Sequence, residues 1–92
     1  MRHRGEKYWS WADPAVHCRT HDETLIDGIT IDVQIRLSAK RDIQMFIGVY
    51  ALDGMALKEE TYDSRPNESM TTSLAWGVER ARRLAKDAGA RS

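Results

Sequence analysis

Residues 29–51 read ITIDVQIRLSAKRDIQMFIGVYA, and this stretch decides the fold. Apolar side chains occupy every second position in two runs, which the polar segment 38–42 separates. The runs are Ile29, Ile31, Val33, Ile35 and Leu37, then Ile43, Met45, Ile47, Val49 and Ala51. Because side chains alternate between the two faces of a strand, each run predicts a strand with one buried face. Together the runs predict an antiparallel hairpin.

The second run differs from the first on its opposite face. That face carries Phe46, Tyr50 and Leu52, with Gly48 between the two aromatic residues. Apolar residues on both faces are typical of a central strand that is covered on both sides. The opposite face of the first run is polar, and we expect it to face solvent. Its residues are Thr30, Asp32, Gln34 and Arg36.

Asp-Gly pairs at 27–28 and 53–54 predict tight turns on either side of this hairpin. A small strand at 24–26 would precede it, and another strand at about 55–62 would follow it. For the last strand we prefer a three-residue loop, 52–54, which places Val49 opposite Leu57 and keeps most charges off the buried face. In that register Glu59 still falls on the buried face, near the end of a solvated edge strand.

The C-terminal part predicts a helix whose N-cap is Ser69 or Thr71. Small and aliphatic residues recur there at spacings of three and four, which is typical of a helix packed on a sheet. They are Leu74, Val78, Ala81, Ala85 and Ala88. The sequence therefore predicts an α+β domain at 23–92. It has a three- or four-stranded antiparallel meander and one C-terminal helix on one face, preceded by an irregular, aromatic N-terminal arm at 1–22.

Length and charge narrow the classes of function. A chain of 92 residues has room for one hydrophobic core. Its 14 basic and 14 acidic residues balance, which argues against nucleic acid or an anionic membrane as the main partner. Cys18 is the only cysteine, so we expect a reducing compartment and a cytoplasmic location. We expect neither a secretory signal nor a membrane span, because no apolar run is long enough.

Trp76, Arg80 and Arg83 are the candidate partner-binding residues. At about 100° per residue, Trp76 lies nearly opposite Leu74 on the helix and shares a surface with both arginines. If the small residues of the helix pack on the sheet, the indole points outward. Tryptophan and arginine are enriched at binding hot spots. The alternative is intramolecular, with the N-terminal arm folded over Trp76 or Arg80 stacked on it.

Tyr8 belongs to a second aromatic group with the alternating residues Trp9 and Trp11. In an extended arm they would face the same side, and we prefer an interpretation in which they cap the face that carries Phe46 and Tyr50. The alternative is a homodimer in which two chains meet there and exchange their arms.

His17, Cys18 and His21 are residue types that bind zinc, but a structural zinc site needs four ligands and the spacing lacks a second pair. Cys18 as a nucleophile with a neighbouring histidine as base is also disfavoured, since neighbours on a strand point to opposite faces. We expect a structural or solvent-exposed role for all three. We therefore predict no metal, no cofactor and no catalytic residue.

These observations favour a small non-catalytic protein-interaction or regulatory module, with an unknown protein partner or self-association. The alternative is a weak nucleic-acid-binding domain, because the order of elements is similar to that of double-stranded RNA-binding domains. Those domains present lysines to phosphates at the start of the last helix. Here the corresponding segment, 69–73, reads SMTTS. An enzyme is the third interpretation, and no convergent set of titratable residues supports it.

Overall fold

The computed structural model describes residues 4–13, 16–25, 27–38, 40–62 and 69–90. In this part of the chain the elements, in order, are α1 (Glu6–Trp11), β1 (Arg19–Thr24), β2 (Thr30–Leu37), β3 (Ile43–Tyr50), β4 (Ala56–Tyr62) and α2 (Met70–Ala90). The strands form one antiparallel sheet in the order β1-β2-β3-β4. The predicted α+β class is confirmed, with four strands in the sheet. The small strand predicted at 24–26 overlaps the end of β1, and position 26 lies outside the described residues.

The core lies between the sheet and α2. It contains Ile31, Val33, Ile35, Ile43, Met45, Ile47, Val49, Val78, Ala81 and Ala85. The alternating residues of β2 and β3 therefore share one buried face, as predicted, and α2 covers it. Two leucines depart from the prediction: Leu37 at the end of β2 is 45% exposed, and Leu52 lies in the turn before β4 and is 83% exposed. Gly77 allows the close approach of the helix, since a β-carbon there would lie 2.8 Å from Cγ1 of Val33. Burial of apolar surface at about 25 cal/mol per Å² drives this packing.

The predicted turns and helix start are present. Gly28 and Gly54 have φ angles of 86° and 93°, in the left-handed region that glycine adopts without strain. The backbone N–H of Thr72 donates a hydrogen bond of 3.1 Å to Oγ of Ser69, which identifies Ser69 as the N-cap of α2.

The register between β3 and β4 differs from the predicted one. Near the turn Tyr50 pairs with Ala56, but a bulge follows and Val49 pairs with Lys58 instead of Leu57. Glu59 consequently lies opposite Gly48, on the face that α2 does not cover. The three-residue loop is confirmed at the turn, where the N–H of Ala51 donates to the carbonyl of Met55 at 2.9 Å. Beyond the bulge the preferred register was wrong, because it treated charge on the α2 face as unfavourable, whereas α2 itself supplies a partner for Glu60.

The second face of the sheet is covered by α1. The predicted extended arm was wrong in this segment, because residues 6–11 form a helix and so turn Trp9 and Trp11 in different directions. Trp11 is only 6% exposed, and its ring lies 5.8 Å from that of Phe46 between centroids. Tyr8 packs edge-on against the same phenylalanine at 5.1 Å. Trp9 is 66% exposed, so Trp11 and Tyr8 form the cap on Phe46 and Trp9 does not.

Candidate functional site

Trp76, Arg80 and Arg83 line one surface groove between α2 and the outer strand β4. Residues that are three or four apart on a helix are neighbours on its surface, so these three side chains lie in one row. The groove has a volume of about 230 Å³ and also includes Tyr62 and Glu79. We call it the α2–β4 groove. The structure thus brings the three predicted residues together, and their role in binding stays a prediction.

Trp76 is partly covered and partly open. Its indole meets the ring of Tyr62 edge-on, with centroids 5.3 Å apart. The side chain nevertheless remains 39% exposed. The predicted intramolecular cover by the N-terminal segment does not occur for α1, which packs on the opposite face of the sheet. A partly exposed indole that a tyrosine ring holds edge-on offers an apolar contact surface.

Arg80 supports the groove from within. Its Nε donates to Oε1 of Glu60 at 3.2 Å and its Nη2 donates to Oε2 at 3.1 Å. The hydroxyl of Tyr62 donates to the same carboxylate at 2.7 Å. Burial raises the pKa of Glu60, but the hydrogen bonds from Arg80 and Tyr62 outweigh it, so the net pKa is lowered. Glu60 is therefore charged at neutral pH and holds Arg80 and Tyr62 in place.

Arg83 has a different position in the groove. No hydrogen bond or ion pair joins it to any residue in the described part of the chain. Its guanidinium group can therefore accept an acidic partner without giving up an existing one. Because a guanidinium group binds a carboxylate through two parallel hydrogen bonds, this position favours a partner that carries Asp or Glu.

The sheet edge beside the groove is open in the described structure. β4 ends the strand order, so no described strand pairs with its outer side. Leu57, at the bulge, is 45% exposed on this edge. An open edge presents unpaired backbone donors and acceptors. Sequence reasoning missed both Leu57 and Tyr62 as site residues, although Tyr62 follows from the true register of β4.

A buried polar cluster lies on the other face, beneath α1. Asp32 and Glu59 lie on either side of Gly48 in neighbouring strands. The predicted solvent-facing position of Asp32 was wrong, because this residue has no solvent exposure. The cause is the N-terminal segment, whose Arg4 reaches across the sheet to form an ion pair with Asp32. Gln34 donates a further hydrogen bond to this carboxylate at 3.1 Å.

Tyr50 joins the two carboxylates of this cluster. Arg4 donates to its phenol oxygen at 3.1 Å, and the hydroxyl donates to Oε2 of Glu59 at 3.0 Å. The backbone N–H groups of Gly5 and Tyr8 also donate to Glu59, at 2.9 and 3.3 Å. Burial raises the pKa of Tyr50 and the charge of Glu59 adds to this, while Arg4 opposes it. The cluster therefore fastens the start of α1 to the sheet with a neutral phenol at its centre.

Cys18 and His21, which were considered as zinc ligands, lie outside the α2–β4 groove: Cys18 lines a cavity beside the buried cluster with Tyr8 and Gln34, and His21 is on β1, at the opposite edge of the sheet from β4. His21 contacts Glu23 at 3.0 Å, and Arg82 binds the same carboxylate at 2.7 Å. Hydrogen bonds from Arg82 and then His21 lower the pKa of Glu23 to about 2. Burial raises the pKa of the Cys18 thiol. In the ranges that the structure describes, no three His, Cys, Asp or Glu side chains form a group that could hold a metal ion.

Comparison with known proteins gave no relative from which a role could be taken. None of the family models, curated proteins or solved structures compared with this chain matches it. Neither of the two described helices has the length and apolarity that crossing a bilayer requires. The α2–β4 groove and the buried cluster are therefore the features from which a role is inferred.

Proposed function

We propose that this chain is a small non-catalytic protein-interaction module that binds a protein partner through the α2–β4 groove. The observation that carries the proposal is the exposure of Trp76, 39%, on a surface where Tyr62 fixes one side of the indole. A rigid, half-exposed tryptophan loses little conformational entropy when a partner covers it. Buried aromatic anchors of this kind carry a large share of the binding energy at protein interfaces.

The charges around Trp76 favour a protein over a nucleic acid. Arg80 and Arg82 on α2 are each paired with a glutamate, at 3.1 and 2.7 Å, so part of the positive charge of the helix is neutralised. Arg83 leaves one guanidinium group for a partner. Of the two described arginines that line the groove, one is thus left for a partner, and a guanidinium group next to an indole fits an acidic residue beside an apolar one better than it fits a row of phosphates.

The buried cluster supports the non-catalytic part of the proposal. Asp32 and Tyr50 have no solvent exposure, and they are tied to Arg4 and Glu59 by hydrogen bonds. A general acid or base must lie within hydrogen-bond reach of a substrate. The hydrogen bonds of Asp32 and Tyr50 instead hold the segment that begins α1 against the sheet. We also infer a cytoplasmic location from the single cysteine.

Quantitative affinity capture with the full chain tests this function, with Trp76→Ala compared against Trp9→Ala. Trp9 is the matched control, because it is a more exposed tryptophan on the other face of the sheet. We expect Trp9→Ala to retain the partner of the wild-type chain. Trp76→Ala should reduce its capture by about tenfold or more, as the loss of a hot-spot residue does.

Two results would contradict the proposal. In the first, Trp76→Ala and wild type capture the same proteins in the same amounts. In the second, nuclease treatment removes the captured material and its amount falls steeply with salt, which would favour the nucleic-acid alternative. Thermal unfolding of both variants checks that the loss comes from the surface and not from the fold.

A further inference from the structure

We propose that the α2–β4 groove is occupied by a second copy of this chain, joined through antiparallel pairing of the two β4 strands. The inference rests on the proposed function, since it names the partner of the same surface. The result would be a symmetric dimer with one continuous eight-stranded sheet and both α2 helices on the same side. Such a two-fold contact uses one self-complementary surface from each copy.

The two edges of the sheet differ in what they offer a partner. All six residues of β1, which read RTHDET, are polar. β4 reads ALKEETY and has Leu57 near one end and Tyr62 at the other. Apolar side chains at both ends of an open strand lose exposed surface when a second strand covers them. β4 is therefore the edge suited to strand addition.

The charges of β4 complement one another in an antiparallel pair. Lys58 and Glu60 pair with Val49 and Ile47, so both lie on the face of the sheet that α2 covers. A two-fold axis at Glu59 places Lys58 of each copy opposite Glu60 of the other. An axis at Lys58 or at Glu60 would place like charges opposite each other on this face instead. Opposite charges in directly paired positions stabilise a sheet, and like charges destabilise it.

Glu59 itself lies on this axis, so the two copies of its side chain face each other across the α1 side of the sheet. Each carboxylate is already held within its own chain, by hydrogen bonds from the Gly5 backbone and the Tyr50 hydroxyl at 2.9 and 3.0 Å. These donors offset part of the repulsion between the two carboxylates. The two Lys58–Glu60 pairs on the other face then favour this register over the alternatives.

The same axis also brings the apolar groups together. Leu57 is the extra residue at the bulge and lines a cavity with Leu84 of α2, so it is open to the α2 face, and in this register the second copy brings it near Tyr62 of the first copy. Tyr62 holds Trp76 in its edge contact at 5.3 Å. Leu57 of the second copy can thus approach the groove from the strand edge, and this contact occurs twice in the dimer. Arg80 stays bound to Glu60, so the pairing needs no rearrangement within the chain.

A charge-exchange experiment tests the dimer. Lys58→Glu places two glutamates opposite each other in both pairs, and Glu60→Lys places two lysines there, so each variant alone should associate more weakly. The dissociation constant should rise by about tenfold, from two reversed cross-strand pairs. In an equimolar mixture of the two variants, one copy of each can pair so that positions 58 and 60 carry opposite charges in both cross-strand pairs. We expect the mixture to form a heterodimer that associates more tightly than either variant alone.

In that heterodimer each of the two pairs joins position 58 of one copy to position 60 of the other. One pair then consists of the two substituted residues, a glutamate and a lysine, and the other consists of the natural Lys58 and Glu60. Both pairs therefore carry opposite charges, as they do in the wild-type dimer. We expect an affinity close to that of the wild type.

Sedimentation equilibrium of the full chain, as a function of concentration, measures these affinities. Lys40→Glu is the matched control, because it makes the same charge change at an exposed turn between β2 and β3. Circular dichroism checks the fold of Glu60→Lys, in which Arg80 loses its partner. If that variant does not fold, Lys58→Glu compared with Lys40→Glu still decides the question.

The inference is overturned if the wild-type chain stays monomeric at every concentration, or if Lys58→Glu associates as tightly as Lys40→Glu does. It is also overturned if both variants fold and their mixture does not regain affinity. In those cases the proposed function still holds if the wild-type chain captures a different protein and Trp76→Ala does not. Conversely, a dimer that depends on Lys58 but not on Trp76 would support the strand pairing and contradict the role of the groove.

Discussion

Tyr50 lies across Gly48, so closely that a β-carbon on Gly48 would be 2.6 Å from the phenol oxygen of Tyr50. The two residues lie on the same face of β3, two positions apart. Glycine usually weakens the middle of a strand, because it has no side chain to pack. Here its lack of a side chain makes room for the ring, and the hydroxyl group can then stand between Arg4 and Glu59.

Gly48→Ala should therefore lower the free energy of unfolding by about 1–3 kcal/mol, as overpacking of a well-filled site does. Urea denaturation measures this loss. A tyrosine absorbance titration gives the specific readout. Burial keeps the pKa of Tyr50 above its ordinary value, so displacement of the ring should let an additional tyrosine ionise at lower pH.

Gly77→Ala is the control for this prediction. A β-carbon on Gly77 would also be too close to its neighbours, at 2.7 Å from Sδ of Met45, but it lies on the other face of the sheet. This variant should lose stability without a change in the tyrosine titration. A neutral or stabilising Gly48→Ala substitution would show that the ring of Tyr50 does not occupy this space.

The ion pair between Arg4 and Asp32 should show strong coupling. Asp32 has no solvent exposure and the side chain of Arg4 has 18%, so the removal of either partner leaves a largely buried charge. We expect Asp32→Ala to cost about 3 kcal/mol in the free energy of unfolding. Arg4→Ala should cost a similar amount, and the double variant should cost less than the sum.

Urea denaturation of the four proteins in this double-mutant cycle measures the coupling, for which we expect about 1–3 kcal/mol. Arg36→Ala can serve as a comparison. It removes an arginine that stacks on Trp11 at 4.0 Å, in the same interface but without a carboxylate partner. Additive costs for Arg4 and Asp32 would mean that the ion pair does not hold the N-terminal segment.

The core between the sheet and α2 could be predicted because its signal is local. Alternation in β2 and β3 and the three-to-four spacing in α2 are both visible within a few residues. The burial of Asp32 could not be predicted in this way, since its cause is Arg4, 28 positions earlier in a segment without periodicity. A polar residue on an alternating strand is interpreted as solvent-facing unless its distant partner is known.

Only the helix side of the candidate groove could be predicted from the sequence, for a similar reason. Helical spacing placed Trp76, Arg80 and Arg83 together, as the structure does. Tyr62 was missed because the preferred register shifts β4 by one residue and moves its even-numbered residues to the other face. That register avoided charge on the α2 face, and the sequence does not reveal that Arg80 would pair with Glu60 across 20 positions.

Acid should destabilise the contact between β1 and α2. The pKa of Glu23 is lowered to about 2 by Arg82 and His21, compared with about 4.3 in an unfolded chain. The unfolded state therefore binds a proton first as the pH falls. The stabilisation from Glu23 is complete above about pH 4.3 and is lost between there and about pH 2.

Glu23→Gln should make the free energy of unfolding less dependent on pH in this window, as urea denaturation at a series of pH values would show. Arg82→Met should have the same effect, because it removes the main cause of the lowered pKa. Part of the slope should remain in both variants, since the pKa of Glu60 is also lowered. An unchanged slope in Glu23→Gln would contradict the assignment.

Arg41 is a site where stability can be gained. Its φ angle of 67° in the turn between β2 and β3 is unfavourable for a residue with a β-carbon. Arg41→Gly should raise the free energy of unfolding by up to about 1 kcal/mol, measured by urea denaturation. Lys40→Gly is the control, since Lys40 lies in the same turn without a positive φ, and it should be neutral or destabilising. A loss of stability in Arg41→Gly would contradict the inference that the backbone of Arg41 is strained.

The most direct test of the central claim, that the α2–β4 groove is a contact surface for a second copy of this chain, uses the three indole N–H signals of the wild-type chain. Trp76 reports on the groove, Trp9 on the exposed side of α1, and Trp11 on the buried cap. NMR spectra over a dilution series should show concentration-dependent shifts at Trp76 and along β4, with Trp9 and Trp11 unchanged. Shifts at Trp9 in place of Trp76, or no concentration dependence at any of the three, would contradict the account.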